Sequence, residues 1–164
     1  MPLRRAREED LDTIISLVRA LAEYEREPEA VRLAREEFAR NLFGPHPYAE
    51  VILAEDETGE TAGFALFFHN FSTWTGKPGI WLEDLFVRPE QRGCGYGRAL
   101  LAEVARIALE RGCGRFEWSV LDWNEPSIRF YRALGARPMD EWTTYRVDGE
   151  ALERLAREGP GHRG

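Results

Sequence analysis

The alternation of apolar and polar residues predicts a chain built from interleaved helices and strands. Apolar side chains recur every three or four positions over residues 8–24 and 32–41, which is typical of amphipathic helices. Short apolar runs that end at turn residues predict strands at 3–6, 48–54, 62–70 and 80–87. In the second half the pattern predicts, in order, a helix ending near 111–112, a strand at 115–121, a helix beginning at 124–126, a strand at 143–147 and a helix at 149–157.

The order of these elements favours an α+β domain, with mixed helices and strands and the strands clustered in the middle of the chain. Asn124 is placed to cap the helix that follows it, Pro126 lies in that helix's first turn, and Gly135 follows its end. We expect one domain over residues 1–158 and a disordered tail at 159–164, where glycine and proline are dense.

Composition and charge limit the classes of function. The chain has 164 residues, of which 43% are hydrophobic and 31% charged, as in ordinary globular proteins. Its net charge of −7 opposes nucleic-acid binding and is compatible with a cationic substrate, although an acidic surface also simply keeps a protein soluble. We expect no membrane span and no signal peptide, because the chain has no long uncharged apolar stretch and its first residues have no apolar segment. Cys94 and Cys113 have neither metal-site nor disulfide spacing, so we expect no metal and a cytoplasmic location.

A glycine-rich turn, Arg92-Gly93-Cys94-Gly95-Tyr96-Gly97, separates a predicted strand from a predicted helix. Backbone N–H groups at a helix start bind anions, glycine lets an anion approach closely, and Arg92 and Arg98 add charged donors. A tight structural turn is one alternative. A nucleotide-triphosphate loop lacks its Lys-Ser or Lys-Thr here, and a dinucleotide fingerprint has different glycine spacing and an earlier position in the fold.

A fourth interpretation fits more of the chain. The pattern Arg92-x-x-Gly95-x-Gly97 resembles the pyrophosphate loop of the GNAT acetyltransferases, and residues 123–136 resemble that family's second cofactor segment. Further stretches resemble the diamine (spermidine/spermine) N1-acetyltransferase group; they are 21–25, 43–48, 74–77, 82–84 and 122–127. Residues 71–74 and 120–124 lean towards its thialysine N-epsilon-acetyltransferase branch, and Ser72-Thr73 replaces an acid typical of the polyamine branch.

The resemblance implies a central, mostly antiparallel mixed sheet flanked by helices, with a splayed cleft for acetyl-CoA. It implies acetyl transfer to the primary amine of a small diamine, polyamine or thialysine-like substrate, with Tyr131 as general acid and Glu83 near the amine. The implied cofactor contacts are Leu85, Phe86, Val87, Arg92, Gly93, Cys94, Gly95, Tyr96, Gly97, Arg98, Asn124, Ser127 and Tyr131. The implied substrate contacts are Tyr24, Glu25, Trp74, Glu83 and Asp84.

Several of these assignments have simpler alternatives. Tyr131 shares a helix face with apolar residues and suits a core aromatic, Glu83 suits a salt bridge, and Tyr24 and Glu25 suit an exposed helix end. Family members usually form homodimers, so Trp74 suits either an amine channel or a dimer interface. Acetylation of a protein N-terminus or lysine, and non-catalytic acyl-CoA binding, remain alternative functions.

Overall fold

The computed structural model describes residues 1–161, which form two compact units, Met1–Leu121 and the residues from Asp122 onward. Positions 162–164 of the predicted tail lie outside the described residues. Among residues 1–161, no helix is both long enough and apolar enough to cross a membrane.

The first unit holds all five strands and three of the helices. Its elements are β1 (Leu3–Arg5), α1 (Leu11–Tyr24), α2 (Arg35–Phe43), β2 (Glu50–Glu55), β3 (Thr61–Ser72), β4 (Lys77–Val87), α3 (Tyr96–Glu110) and β5 (Arg115–Trp118). The second unit holds α4 (Glu125–Ala133) and α5 (Gly149–Arg157).

The five strands form one sheet in the order β1-β2-β3-β4-β5. The first three pairings are antiparallel and the last, between β4 and β5, is parallel, because α3 carries the chain across the sheet between them. The predicted α+β fold, with a mostly antiparallel mixed sheet flanked by helices, is confirmed.

Both faces of the sheet are covered by helices. On one face, α1 and α2 pack against a cluster whose members are Ile14, Leu17, Leu21, Leu42, Val51, Leu53, Phe64, Leu66 and Phe86. Alternate strand residues such as Ile52, Ala65 and Phe67 point to the other face, where α3 lies against β2, β3 and β4. The middle strands are therefore buried on both sides, which explains their nearly continuous apolar sequence.

A β-bulge interrupts β4 at Glu83. Leu66 pairs with Asp84 while its neighbour Phe67 pairs with Leu82, so Glu83 is the extra residue. The ladder from β4 to β5 also ends here, at the pair Leu82 and Trp118. Residues 84 to 87 of β4 therefore pair with β3 on one side and have no β5 partner on the other.

Most predicted elements are present, with ends displaced by a few residues. The strand predicted at 115–121 ends at Trp118, and the helix at 149–157 has the predicted bounds. The strand predicted at 143–147 is wrong, because residues 142–148 have no regular structure. A β-branched and aromatic run supplies strand propensity but not a neighbouring strand, and Tyr145 in this run is 93% exposed.

We expect Gly63→Ala to lower the free energy of unfolding by about 1–3 kcal/mol. An added Cβ at Gly63 would lie 2.5 Å from the Phe86 carbonyl oxygen, so β3 and β4 would have to move apart at the end of β4. Chemical denaturation measures the change. Gly97→Ala is the control, because the nearest atom to its Cβ lies at 3.8 Å; equal stabilities for the two variants would contradict the prediction.

Candidate active site

The unpaired edge of β4 is the first component of the site. Phe86 is buried in the core, whereas Leu85 and Val87 are partly exposed. The backbone groups that face away from β3 in this stretch have no β5 ladder partner, so they are available to a ligand lying along the strand. This is the splay that the family resemblance implies.

The second component is the glycine loop that joins β4 to α3. The chain leaves β4 through a short 3₁₀ turn at 89–91, which is held by two side-chain hydrogen bonds. Arg88 Nε donates to the Thr61 carbonyl oxygen at 2.9 Å, and Gln91 Nε2 donates to Asp56 Oδ2 at 3.1 Å. The loop therefore begins from a fixed point on the β2–β3 turn.

The start of α3 is built to attract an anion. Gly95 caps the helix with φ of +88°, and no side chain accepts a hydrogen bond from its first turn. That turn contains no acidic residue and includes the exposed Arg98, a cation where the helix dipole disfavours one. Tyr96 has its ring buried, so only its backbone can serve a ligand, and Cys94 is an exposed free thiol.

Three glycines contribute differently to this loop. Gly93 and Gly95 have φ of +80° and +88°, so their backbone conformation favours glycine. Gly97 has no such conformation, and a Cβ there would only touch Val87 at 3.8 Å. Nothing in the described chain requires glycine at 97, and no side chain at this position covers the backbone at the start of α3.

The third component is a cluster of carboxylates beside the bulge, formed by Glu25, Glu83 and Asp84. Glu83 is exposed, and its Oε2 accepts a hydrogen bond from Trp81 Nε1 at 3.1 Å. Asp84 pairs with the core residue Leu66 and therefore faces the α1 side of the sheet, where Glu25 follows the end of α1. The bulge is what turns Asp84 inward, because one extra residue shifts the alternation of side chains.

Two of these carboxyl groups, Asp84 and Glu25, have a raised pKa. Burial, followed by the charges of Glu83 and Glu25, raises the pKa of Asp84 to about 7. Burial and then the charge of Glu83 raise the pKa of Glu25 as well. A buried carboxyl group without a cation is costly, so this arrangement suits a site that receives a positively charged ligand.

The remaining predicted substrate contacts lie at the edges of the first unit. Tyr24 ends α1 and is 36% exposed, and its ring lies under the Arg92 guanidinium. Trp74 is 81% exposed in the turn between β3 and β4.

The other predicted residues belong to the second unit. Asn124 is buried, and its Oδ1 accepts a hydrogen bond from the Ser127 backbone N–H at 3.4 Å, so the predicted helix cap is confirmed. Tyr131 lies in α4, half-buried, with its ring 5.6 Å from that of Phe130. The catalytic role of Tyr131 stays a prediction.

Sequence reasoning missed two features of the site. One is the bulge, for which the acidic pair Glu83-Asp84 inside an apolar strand was the available signal. The other is the set of contacts that Arg92 makes with Tyr24, Phe86 and Val87, which no sequence pattern indicates because Tyr24 is far from Arg92 in the chain. Over residues 1–161, no three His, Cys, Asp or Glu side chains are placed to hold a metal ion.

This fold occurs in a family of acetyltransferases. The profile of the Acetyltransferase (GNAT) family matches residues 11–136, and the chain belongs to that family, whose members use acetyl-CoA. The chain is therefore an acetyltransferase enzyme that acts on an amine. The start of α3, with no acidic residue and with Arg98 in its first turn, suits a pyrophosphate group in charge.

The chain is 38% identical to a thialysine N-epsilon-acetyltransferase of Sus scrofa, over 94% of this chain and 96% of that protein. It is 30% identical to spermidine/spermine N(1)-acetyltransferase-like protein 1 of Homo sapiens, over 95% of this chain and 24% of that protein. Among solved structures, an integron cassette protein of V. cholerae superposes with a TM-score of 0.78 at 27% identity, covering 95% of this chain and 97% of that one.

We expect Gly97→Leu to raise the KM for acetyl-CoA at least roughly tenfold, because the added side chain would cover backbone N–H groups at the start of α3. Gly97→Ala is the matched control, since its single methyl group makes only an ordinary contact. Steady-state kinetics and thermal unfolding measure both variants. An unchanged KM in a folded Gly97→Leu variant would contradict binding of acetyl-CoA at the start of α3.

We expect Asp84 to make stability depend on pH. Its native pKa of about 7 lies above the ordinary value of 3.8, so the folded chain holds this proton more tightly than the unfolded chain. That contribution is complete below about pH 4 and is lost as the pH rises through 7. The stability of Asp84→Asn relative to the unchanged protein should therefore increase by about 2–4 kcal/mol between pH 4.5 and pH 8.

Denaturant unfolding at several pH values measures this difference. Glu57→Gln, which removes an exposed carboxylate from the β2–β3 turn, is the control, and the change with pH for Asp84→Asn should exceed the change for this variant. A flat difference for Asp84→Asn would show that the carboxyl group titrates normally.

Proposed function

We propose that the protein transfers the acetyl group of acetyl-CoA directly to the terminal primary amine of a small, basic substrate. The observation that carries this proposal is the carboxylate cluster of Glu25, Glu83 and Asp84, which lies where the bulge turns β4 beside its unpaired edge. A cluster of this kind attracts and orients an ammonium group and repels an acidic acceptor.

The supporting comparison is with relatives whose names specify amine acceptors. The pig relative is named for thialysine, and the human relative for spermidine and spermine. Both kinds of acceptor carry a primary amine on a flexible chain together with a second ammonium group. Ser72-Thr73 stands where the polyamine branch typically has an acid, which favours a thialysine-like basic amino acid over a polyamine for this chain.

Removal of a proton from the amine is the first chemical requirement. An alkylammonium group has a pKa of about 10.4, so deprotonation costs about 4.6 kcal/mol at pH 7. We assign Glu83, the exposed carboxylate, to contact with the amine. Asp84, whose pKa lies near 7, has the affinity for protons that a general base needs at neutral pH, and it accepts the proton directly or through a water.

The backbone of β4 supplies the next contribution. The unpaired edge at Leu85, Phe86 and Val87 aligns acetyl-CoA, and an N–H group there stabilises the negative charge that develops on the thioester oxygen. The backbone from Gly93 to Arg98 holds the pyrophosphate, and Asn124 and Ser127 make further cofactor contacts.

Proton donation to sulfur completes the reaction. The amine nitrogen bonds to the acetyl carbon and loses one further proton to water, the carbon–sulfur bond breaks, and the sulfur takes a proton as CoA leaves. Tyr131 donates that proton, because a phenol with a pKa of about 10 is protonated at pH 7. Such a donor is typically worth about 10²–10⁴-fold in rate.

We expect CoA release with thialysine, lysine, putrescine or spermidine. Tyr131→Phe should lower kcat at least roughly tenfold, because the leaving sulfur loses its proton donor. A thiol-detecting assay measures release across this panel and with a lysine-containing peptide. Tyr145→Phe is the matched control, since it removes the hydroxyl group of an exposed tyrosine in the same unit.

Three outcomes would contradict parts of the proposal. Preference for the peptide over every small amine would indicate a protein acetyltransferase, and binding of acetyl-CoA without transfer to any amine would indicate an acyl-CoA-binding module. Full activity of Tyr131→Phe would remove the assigned acid while leaving the reaction class intact. A homodimer and a cytoplasmic location stay predictions, and light scattering tests the former.

A further inference from the structure

Arg92, the first residue of the glycine loop, is held by three groups of the protein itself. Its Nε donates a hydrogen bond to the Val87 carbonyl oxygen at 3.1 Å. Its Cζ lies 4.7 Å from the centre of the Tyr24 ring and 5.5 Å from the centre of the Phe86 ring. These contacts join the loop to the end of β4 and to the end of α1, two elements that are distant in sequence.

The end of α1 is where the carboxylate cluster begins. Tyr24 is the last residue of the helix, and the next residue is Glu25, whose carboxyl group interacts with Glu83. The last turn of α1 contains no basic residue of its own. Arg92 therefore brings a cation from another element to the carbonyl end of this helix, where the helix dipole favours positive charge.

We infer that Arg92 is a positioning residue for the amine substrate: by stacking on Tyr24 and bonding to the end of β4, it fixes the end of α1 so that Glu25 faces Glu83 and Asp84. This inference rests on the proposed function, in which the amine binds at those carboxylates. It assigns to an arginine of the cofactor loop an effect on the acceptor site.

The geometry also limits how Tyr24 can serve the substrate. An aromatic face attracts a cation, and a guanidinium group already lies over this face. A substrate ammonium group is thus directed to the carboxylates rather than to the Tyr24 ring. The ring serves as a support for Arg92.

Arginine is specifically suited to this role. Its planar guanidinium group stacks on two rings while its Nε donates in the plane to a carbonyl oxygen. Lysine keeps the positive charge, and so keeps a general attraction for phosphate, but it cannot stack in this way or donate from the Nε position. Arg92→Lys therefore separates positioning from charge.

We expect Arg92→Lys to raise the KM for the amine about 3- to 30-fold, with a change in the KM for acetyl-CoA of less than about threefold. Tyr24→Leu should reproduce the effect because it removes the ring over which the guanidinium group lies. The double variant Arg92→Lys with Tyr24→Leu should be no worse than either single variant, because both remove the same contact.

Arg98→Lys is the matched control within the loop. Arg98 is exposed in the first turn of α3 on the cofactor side, so any effect of its substitution should fall on acetyl-CoA and not on the amine. A rise confined to the KM for acetyl-CoA in Arg92→Lys would overturn the inference, because it would make Arg92 a phosphate ligand only.

Unfolding equilibria keep the test independent of activity. They are measured without any substrate for the unchanged protein, Arg92→Lys, Tyr24→Leu and the double variant. Coupling between Arg92 and Tyr24 of at least about threefold in the unfolding equilibrium constant would support the contact, and additive effects would overturn it. If the unchanged protein acetylates no amine of the panel while this coupling is present, the proposed function fails and the bracing of the helix end by Arg92 still stands.

Discussion

The site depends on the interruption of one strand. At Glu83, β4 gains an extra residue against β3 and at the same level loses its pairing with β5. A continuous sheet would satisfy the backbone of residues 83–87 internally and leave no edge for a ligand. The interruption supplies both an open edge and a change in side-chain direction, and the carboxylate cluster results from that change.

The cost of this arrangement is electrostatic. Asp84 lies largely out of solvent beside two other carboxylates, and the rise of its pKa to about 7 expresses how poorly the protein accommodates its charge without a ligand. A cationic substrate relieves that repulsion. The same electrostatic repulsion between the carboxylates therefore favours both the binding of the substrate and the transfer of its proton to Asp84. The helix start of α3 has the opposite character, with unpaired backbone donors, no acid and two nearby arginines. The first unit thus carries one region suited to an anion and one suited to a cation.

Arg92 connects these two regions. It is part of the loop whose backbone suits a pyrophosphate, yet its side chain is packed against residues of the acceptor side. The ends of β4 and α1 therefore both contact one guanidinium group. In a transfer reaction both substrates must be aligned to within fractions of an ångström, so a shared anchor between their sites is physically useful.

The sequence by itself determined most of the elements and the family, because these depend on local patterns. Apolar periodicity located the helices and most strands, Asn124 and Pro126 marked the start of α4, and Gly93 and Gly95 marked a loop with a backbone conformation that favours glycine. Only the tertiary structure decided the bulge, the end of the β5 ladder, the partners of Arg92 and the unusual pKa of Asp84. Each of these depends on which distant segments meet: a register is a relation between two strands, and a pKa reflects burial and neighbouring charges. The strand expected at 143–147 failed for the same reason, since propensity cannot supply a pairing partner.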